Sequence, residues 1–577
     1  MSASAPSPAS APPTRLSGNP LSIRPFRWLW STALVANIGV WLESVMAGFV
    51  MAQMTRVPSL VAALPVAFGL PGVLLALASG ATADSLDRRL VLLWAKALFL
   101  AAAAGLAALT AVGGLTPFDL LVFTALLGAL SAFSSPAWWA TLRDLVPERL
   151  FRAALSLDGL EWNVGQIAGP LLGGVLLANA GAGAMFAVAA GLMAGLVAFL
   201  LVWRGRSNAR LSTPGSAAAE RMTGAVAAGL RYLAYAPALQ VACWRTILFI
   251  LPAGALPALL PLLAAHDLHL GAIGYGLLLA CVGVGSVAAA LLLYRAGNNL
   301  HLDAMLGGSA VLASAATVLV VVVQERFLAG LFLALTGAAW LVSVTALNLG
   351  VQQVVPRWIL SRALGVYLTV YQGSIVVGAL LWGGVADAFG VKIALLVAAA
   401  ALLPGVLLIR WLGLPVVARA DMRVVPRPQP DVAAEPEDED GPVMIVVSFV
   451  VDLDDREQFI EKMEELRVVR RRTGATRWTL FEDANEPGRF IESFVVASWA
   501  AYLTQRSRYT AADLRVLDAA MALHAAPDPP TVSYFVHPDS AIAYRRIARW
   551  RRLRGVDSSL QPAGAKAAKP QEPPPRK

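Results

Sequence analysis

Runs of about 20 consecutive apolar residues recur between residues 28 and 411 of this chain. A helix of that length crosses roughly 30 Å of hydrocarbon, and a bilayer hides such surface without a single large protein core. Only 14% of the 577 residues are charged, whereas a soluble protein carries roughly 25%. We therefore predict an all-α polytopic membrane protein with twelve spans, near 28–53, 59–82, 90–112, 117–138, 156–179, 182–203, 239–263, 270–294, 303–323, 326–350, 362–387 and 391–411.

Basic residues are distributed unevenly between the two sets of predicted loops. The side that carries the N-terminus holds most of the arginines, including Arg88, Arg89 and Arg143, and the opposite side holds Arg56, Arg326 and Lys392. Because basic residues gather in cytoplasmic loops, this pattern predicts an inner (plasma) membrane protein with both termini in the cytoplasm. The same rule accounts for the net charge of +9, so no nucleic-acid partner is predicted.

The spans divide into two six-helix halves, residues 26–203 and 239–412, separated by a cytoplasmic loop at 204–238. Residues 1–25, rich in Ala, Ser and Pro, are predicted to be a disordered tail and not a signal peptide. The halves resemble repeats at an offset of 209 positions. The matches are Val146-Pro147 with Val355-Pro356, Ala154-Leu155 with Ala363-Leu364, Gly128 with Gly337, Gly169 with Gly378, and Gly174 with Gly383. Parallel repeats imply a substrate cavity at their interface.

The composition changes after residue 412. Residues 413–441 are predicted to be a linker, 442–540 a small soluble domain and 541–577 a basic tail. Strands are predicted near 443–451, 476–482, 489–496 and 531–537, with helices at 454–472 and within 498–525. The order βαββαβ suggests a small α+β ferredoxin-like domain. Its exposed sheet face makes self-association through this domain a further hypothesis.

Little in the sequence indicates catalysis or a bound cofactor. His524 and His537, the histidines of the small domain, belong to no recognisable catalytic motif, and Cys243 and Cys281 lie in apolar runs. The sequence has no Walker-type phosphate loop, which argues against ATP as the direct energy source. We therefore predict a protein that is not an enzyme and that has no cofactor and no metal site.

The sharpest motif joins the second and third predicted helices, Gly80-Ala81-Thr82-Ala83-Asp84-Ser85-Leu86-Asp87-Arg88-Arg89. It resembles the cytoplasmic signature of the major facilitator superfamily, G-x-x-x-D-R-x-G-R-R/K, although Ser85 and Asp87 depart from it. The resemblance implies a latch that holds one side of a transporter closed and that uses Gly80, Asp84, Asp87, Arg88 and Arg89. The alternatives are that Asp87 caps the third helix and that the segment is an ordinary basic loop.

A second motif lies in the fifth predicted helix, Gly165-Gln166-Ile167-Ala168-Gly169-Pro170-Leu171-Leu172-Gly173-Gly174. It resembles the G-x-x-x-G-P-x-x-G-G element of exporters in the same superfamily. The members that carry the resemblance are Gly165, Gly169, Pro170, Gly173 and Gly174. The alternative is a packing face made of small residues.

Further short matches narrow the resemblance to the branch that includes the bacterial enterobactin exporter. They are Phe26-Arg27-Trp28-Leu29-Trp30, Asn37-Ile38-Gly39-Val40-Trp41, Ser135-Pro136-Ala137 and Val146-Pro147. In the small domain, Arg470-Arg471-Arg472, Gly474-Ala475, Arg477-Trp478 and Pro487-Gly488-Arg489 resemble an appendage that some members of this branch carry. The domain as a whole resembles ferredoxin-like modules that include antibiotic-biosynthesis-type monooxygenases.

Ionisable residues inside the predicted spans are functional candidates, because a charge is costly in hydrocarbon. We hypothesise that Glu43 takes up and releases a proton, and that Arg245 holds an anionic part of the substrate or pairs with a carboxylate. The alternative for Glu43 is a structural hydrogen bond or salt bridge. The other candidates for coupling or substrate contact are Glu161, Asn37, Trp41, Asn163, Gln166 and Gln372. Lys96 and Asp158 are interpreted as residues near the membrane interface.

The resemblance and the buried charges together predict a secondary active transporter. It would export small amphipathic molecules of the siderophore or drug class by antiport with protons, and its partners would be substrate, protons and the bilayer. The alternatives are uptake of lipids or solutes, and a membrane-tethered sensor or regulator that acts through the small domain.

Overall fold

The computed structural model describes residues 19–85, 87–203, 222–297, 301–323, 325–408, 413, 422–425, 427–430, 432 and 436–537. For residues 76–85 and 222–227 it describes the backbone alone. The chain forms two compact units, a larger helical unit that contains Met1–Leu233 and Pro237–Val416, and a smaller unit formed mainly by Val417–Lys577.

The helices before residue 409 are α1 (Arg24–Met54), α2 (Pro58–Ser85), α3 (Arg88–Ala111), α4 (Pro117–Leu145), α5 (Glu148–Val202), α6 (Met222–Ala234), α7 (Pro237–Ala253), α8 (Ala255–Leu262), α9 (Ala272–Ala296), α10 (Leu302–Val323), α11 (Arg326–Val354), α12 (Leu360–Phe389), α13 (Val391–Ala401) and α14 (Pro404–Leu407). Within the described residues, ten segments are long and apolar enough to cross a membrane. They are α1 to α5, the stretch Pro237–Asp267, and α9 to α12, with Val391–Leu407 as a shorter apolar segment. The fold is therefore that of a mostly helical polytopic membrane protein.

Two glycines mark equivalent breaks in this helical unit. Gly181 (φ 81, ψ 172) interrupts α5, and Gly390 (φ 86, ψ 156) separates α12 from α13. Glycine adopts such a positive φ readily because it has no Cβ. As one rod, the 55 residues of α5 would measure about 80 Å, far more than a bilayer. Gly181 falls between the predicted spans 156–179 and 182–203, and it lies 209 positions before Gly390.

Other contacts repeat at the same offset. A Cβ atom on Gly169 of α5 would lie 2.7 Å from the backbone nitrogen of Leu42 in α1. A Cβ atom on Gly378 of α12 would lie 2.6 Å from the carbonyl oxygen of Leu251 in α7. Gly169 and Gly378 are 209 positions apart, and so are Leu42 and Leu251. Each half therefore packs its first and fifth predicted spans against each other at the same place.

Gly128 and Gly337, which are also 209 positions apart, each allow a close contact between two helix backbones. A Cβ on Gly128 of α4 would collide with the carbonyl oxygen of Phe68 in α2, and one on Gly337 of α11 would collide with that of Val282 in α9. Glycine at these points lets two helix backbones touch, which is how helices associate in a membrane.

The two halves meet at the end of the unit where α1 ends and α2 begins. One buried cluster there contains side chains of both halves. The rings of Phe49 and Tyr275 stack with centroids 5.0 Å apart, and the backbone N–H of Ser59 donates to Asp387 Oδ1 at 3.0 Å. At the start of α1, a separate described cluster around Leu29 contains residues of the first half alone.

Two predicted connections contain more structure than the sequence indicated. The predicted loop 204–238 contains α6, although its first part lies outside the described residues. The predicted linker packs against the small unit. The N–H of Val425 donates to the carbonyl oxygen of Tyr509 at 2.8 Å, and the N–H of Trp499 donates to that of Asp440 at 2.8 Å.

The small unit contains β1 (Val443–Val450), α15 (Arg456–Thr473), β2 (Arg477–Glu482), β3 (Arg489–Val496), α16 (Trp499–Arg506), α17 (Ala511–Met521) and β4 (Thr531–Val536). The four strands form one antiparallel sheet in the order β2-β3-β1-β4. Ile445 faces Phe494 on one side and Tyr534 on the other. Burial alternates along β3, so one sheet face packs against the core that contains Phe459 and Trp499.

A buried ion pair connects α15 to this sheet. Arg470 donates to both carboxylate oxygens of Glu492, at 2.9 and 3.0 Å, and to the hydroxyl of Tyr509 at 2.7 Å. Glu492 also accepts from the indole N–H of Trp478 at 2.9 Å, and the guanidinium lies 4.4 Å from the ring centroid of Phe494. Burial alone would lower the pKa of Arg470, but Glu492 and Tyr509 raise that pKa above its ordinary value.

We expect Gly337→Ala to lower the melting temperature of the purified protein by several degrees. The added methyl group must push α11 away from the α9 backbone, and such overpacking costs about 1–3 kcal/mol. The matched control is Gly308→Ala in α10, where a Cβ would meet no atom within 4 Å. That control should melt at the wild-type temperature or slightly above it, because alanine favours helix. Equal melting temperatures for the two variants would contradict the close approach.

We expect Arg470→Met to destabilise the small domain by about 3–5 kcal/mol, because Glu492 would keep a buried charge without its partner. The readout is trypsin resistance of residues 443–536 in the full-length protein, followed with a C-terminal tag. The double variant Arg470→Met/Glu492→Leu should recover most of this resistance. Wild-type resistance in Arg470→Met would show that the pair is dispensable.

Candidate functional site

The basic residues of the signature motif connect three helices of the first half. Asp87 caps α3 by accepting from the N–H of Arg89 at 2.9 Å, as the capping alternative predicted. Arg88 pairs with Asp144 at the end of α4 at 2.8 Å, and Arg89 donates to the carbonyl oxygens of Leu200 and Leu201 at the end of α5. The side chain of Asp84 and the surroundings of Gly80 lie outside the described part of the chain, so their predicted latch contact stays a prediction.

The glycines of the second motif place α5 directly against two neighbours. Gly165, Gly169 and Gly173 lie one helical turn apart and face α1, where added Cβ atoms would lie 2.5–2.7 Å from atoms of Trp41, Leu42 and Met46. Gly174 faces α9 instead, since its Cβ would lie 2.6 Å from the carbonyl oxygen of Ala272. Gly276 of α9 comes equally close to the carbonyl oxygen of Pro170. The motif therefore packs α5 against both halves.

Glu43 occupies an apolar cavity inside the first half. Its side chain is 3% exposed, and both carboxylate oxygens lack a hydrogen-bond partner. The cavity is lined by Val40, Glu43, Ser44, Ala47, Phe68, Phe99, Thr124 and Leu127, which belong to α1, α2, α3 and α4. Residues 37, 38, 41 and 42 of α1 face the α5 glycines, so Glu43 lies on the side of α1 turned away from α5. The salt bridge that was the alternative for Glu43 is absent from the described residues.

A second group of ionisable side chains lies between α3, α4 and α5. Glu161 is 8% exposed, and it interacts electrostatically with Lys96 of α3 and with Asp158 one turn earlier in α5. Asp158 accepts from the indole N–H of Trp138 in α4 at 2.8 Å. One oxygen of Glu161, Oε2, lacks a hydrogen-bond partner. Lys96 and Asp158, which the sequence predicts to lie near the interface, are electrostatic neighbours of this buried carboxylate.

The polar candidates of α1 and α5 lie side by side. The side-chain amide of Asn37 donates to the carbonyl oxygen of Glu161 at 3.1 Å. Trp41 packs edge-on against Trp162 with centroids 5.1 Å apart. Asn163 is exposed and donates to the carbonyl oxygen of its own helix at Gly159. Of the remaining candidates, Gln166 is half-buried in α5 and Gln372 is exposed on α12.

Arg245 is buried in the second half. Its side chain is 1% exposed, and Nη2 lies 3.6 Å from Oδ1 of Asp303, the second residue of α10. The arrangement agrees with the carboxylate-pairing alternative for Arg245. Sequence reasoning did not single out Asp303, because it stands at the start of a span and looks like an ordinary loop acid. Phe99 and Thr124 were missed as well, since neither residue type stands out in an apolar helix.

His524 of the small domain has structural contacts. Nδ1 of His524 accepts from the N–H of Val450 at 3.0 Å, and Nε2 lies 2.9 Å from the carbonyl oxygen of Asp528. These contacts tie β1 to the loop that leads into β4. Among the described residues, no group of three or more His, Cys, Asp or Glu side chains is placed to hold a metal ion.

Solved structures of transporters share the fold of the helical unit. A POT family transporter in complex with 5-aminolevulinic acid aligns with a TM-score of 0.56 at 13% identity, over 67% of this chain and 95% of that one. The nucleoside transporter NupG aligns with a TM-score of 0.52 at 14% identity, over 68% of this chain and 100% of that one. At such identities the likeness concerns the fold alone.

Two relatives match in sequence. An uncharacterised transporter of the major facilitator type, YfiS of Bacillus subtilis, is 28% identical over 292 residues, which are 47% of this chain and 67% of the relative. The multidrug efflux pump Tap of Mycolicibacterium fortuitum is 28% identical over 178 residues, which are 30% of this chain and 42% of the relative. The chain thus spans two thirds of the first relative and less than half of the second.

The sequence profile of one family covers nearly the whole chain. It is described as the transmembrane secretion effector family, and it matches residues 16–542. Together with the helical fold, this match means that the chain belongs to the transmembrane secretion effector family and is a membrane transporter of the major facilitator type.

Proposed function

We propose that this protein exports small amphipathic molecules, of the drug or siderophore class, in exchange for protons. The observation that carries the proposal is Glu43, a buried carboxyl group without any hydrogen-bond partner in a cavity of the first half. An isolated ionised carboxylate in such a place would cost many kcal/mol, so in this arrangement the group holds a proton. In a conformation that admits water to the cavity, Glu43 would release its proton to that water.

The substrate class follows from the relatives and from the resemblance of the motifs. Similarity to the multidrug efflux pump Tap supports drug-like substrates. The resemblance of Asn37-Ile38-Gly39-Val40-Trp41 and the α5 glycine motif to the enterobactin-exporter branch supports siderophores. Aromatic side chains beside the α1–α5 contact, Trp41 and Trp162, provide the flat apolar surface that suits both classes.

We further propose twelve spans in two six-helix halves, with both termini in the cytoplasm. The break at Gly181 supports counting α5 as two spans, and Val391–Leu407 completes the second half. The basic residues Arg88 and Arg89 support placing the start of α3 in the cytoplasm. In this orientation the cluster that joins the halves lies on the outer side, and the signature motif lies on the inner side.

For the small unit we propose a ferredoxin-like fold with a regulatory or self-associating role. The strand order β2-β3-β1-β4 and the helices α15 to α17 support this fold. Met444, Phe481 and Phe535 are exposed, and an apolar sheet face of this kind supports pairing between copies.

Glu43→Gln should abolish proton-driven transport while leaving the protein folded, because glutamine keeps the shape of the side chain but cannot release a proton. The measurement is accumulation of ethidium, other fluorescent drugs and catecholate siderophores in everted membrane vesicles, with and without a protonophore. We expect at least a tenfold loss of protonophore-sensitive accumulation.

The matched control is Glu148→Gln, which neutralises an exposed glutamate in the first turn of α5. This variant should accumulate the probes as the wild type does. Normal accumulation by Glu43→Gln would remove Glu43 from the coupling step. Wild-type vesicles that move none of the probes in response to a proton gradient would contradict proton-coupled export.

Removal of residues 417–577 distinguishes the transporter hypothesis from the alternative that the protein is a membrane-tethered sensor acting through its small domain. If the helical unit transports by itself, the truncated protein should accumulate the same probes within about twofold of the wild type, since its spans and motifs are intact. The assay is the same vesicle measurement at matched protein levels. A truncated protein that is inserted normally but inactive would make the small domain part of the transport cycle.

A further inference from the structure

The cavity beside Glu43 has room for one molecule of the size of water. It offers about 10 Å³ to the centre of such a molecule, and a cavity needs roughly 10–15 Å³ by this measure to hold one water. A pocket for a drug-sized ligand is far larger, with roughly 300–1,000 Å³ of total volume. The cavity is therefore too small for a drug or a siderophore, and it suits a much smaller ligand.

Three of the eight residues that line this cavity have polar side chains. They are Glu43, Ser44 and Thr124, and the other five are apolar. A buried water stays in a cavity where it finds roughly two to four polar partners, whereas an apolar cavity stays dry. Glu43 is 3% exposed, and its two carboxyl oxygens lack hydrogen-bond partners. This carboxyl group and the two hydroxyl groups together provide the number of partners that one water needs.

Thr124 of α4 can act only as an acceptor toward the cavity. It is 5% exposed, and its hydroxyl donates to the carbonyl oxygen of Leu120 at 2.7 Å. Because a threonine hydroxyl has one hydrogen, its oxygen has only lone pairs left for a further partner. A protonated Glu43 has one O–H to donate, but neither of its oxygens is bonded to Thr124. A molecule that accepts from Glu43 and donates to Thr124 would join the two side chains, and water does both.

We propose that this cavity binds one water molecule, which accepts the O–H of Glu43 and donates to Thr124. The inference rests on the proposed proton-coupled function and adds the group that receives the proton. When the cavity opens, the O–H bond of Glu43 breaks and the bound water gains the proton as hydronium. Hydronium passes the proton to the solvent, and Glu43 keeps the negative charge. Thr124 accepts a stronger hydrogen bond from hydronium than from water, which makes it a positioning residue for the transfer.

The size of the cavity also separates the proton from the substrate. Since one water takes the space beside Glu43, substrate and proton do not compete for the same carboxylate. The residues that line the cavity belong to α1, α2, α3 and α4. A change in the charge of Glu43 therefore acts on the substrate through the packing of these four helices.

The helix α4 contains a matched control for Thr124. Thr141 is 4% exposed and donates to the carbonyl oxygen of Ala137 at 2.7 Å, but it does not line the cavity. Thr124→Val and Thr141→Val therefore remove the same kind of buried hydroxyl and the same bond within the helix. The full-length variants are compared with the wild type by infrared difference spectra between acidic and alkaline buffer, and by uphill accumulation of ethidium in everted vesicles.

In the spectra, the bound water is the O–H stretching band that shifts in water labelled with heavy oxygen and that Glu43→Gln lacks. We expect the wild type and Thr141→Val to show this band, and Thr124→Val to lose it or to shift it. Accumulation should fall about fivefold in Thr124→Val and stay at the wild-type level in Thr141→Val, since one hydrogen bond contributes about 1 kcal/mol.

A wild type without this band, or an unchanged band in Thr124→Val, would overturn the inference and leave the proposed function standing. Wild-type vesicles that show no uphill accumulation of any probe would overturn the proposed function, and the proton transfer through the bound water with it.

Discussion

The fold depends on the direct contact of helix backbones at glycines. In hydrocarbon, apolar side chains gain nothing by leaving lipid for another helix, so close packing has to supply the attraction. Gly165, Gly169 and Gly173 provide it between α5 and α1, and Gly174 extends it from α5 to α9. A side chain at any of these points would force the helices apart. The contacts of Asn37 and Trp41 with α5 therefore follow from this line of glycines.

The packing also explains why the buried carboxyl groups are placed where they are. Because α1 turns residues 37, 38, 41 and 42 toward the α5 glycines, Glu43 faces the interior between α2, α3 and α4. The first part of α5 places Glu161 near α3, where it interacts electrostatically with Lys96. Four ionisable groups, Glu43, Lys96, Asp158 and Glu161, thus lie on three helices of one half, while Arg245 and Asp303 form a separate pair in the other.

Much of this arrangement could be predicted from the sequence. The contacts that could not be predicted have a physical reason in common. Apolar length indicated the helices, and the motif glycines and the offset of 209 indicated which helices touch. The partner of Arg245 and the link between Lys96 and Glu161 were not predictable, because they depend on the rotation of each helix about its axis. An all-apolar helix gives almost no periodic signal for that rotation. The helix α6 was missed because no apolar run marks it.

Residues that are 209 positions apart in the two halves are alike at some places and differ in chemical type at others. The repeat preserves the glycines Gly181 and Gly390, yet the positions that correspond to Glu43, Lys96 and Glu161 are Pro252, Met305 and Val370. Where one half carries an ionisable group on its first span, the other carries a proline just before the turn at Gly254. The two halves thus share a backbone frame but differ in the ionisable side chains that they bury.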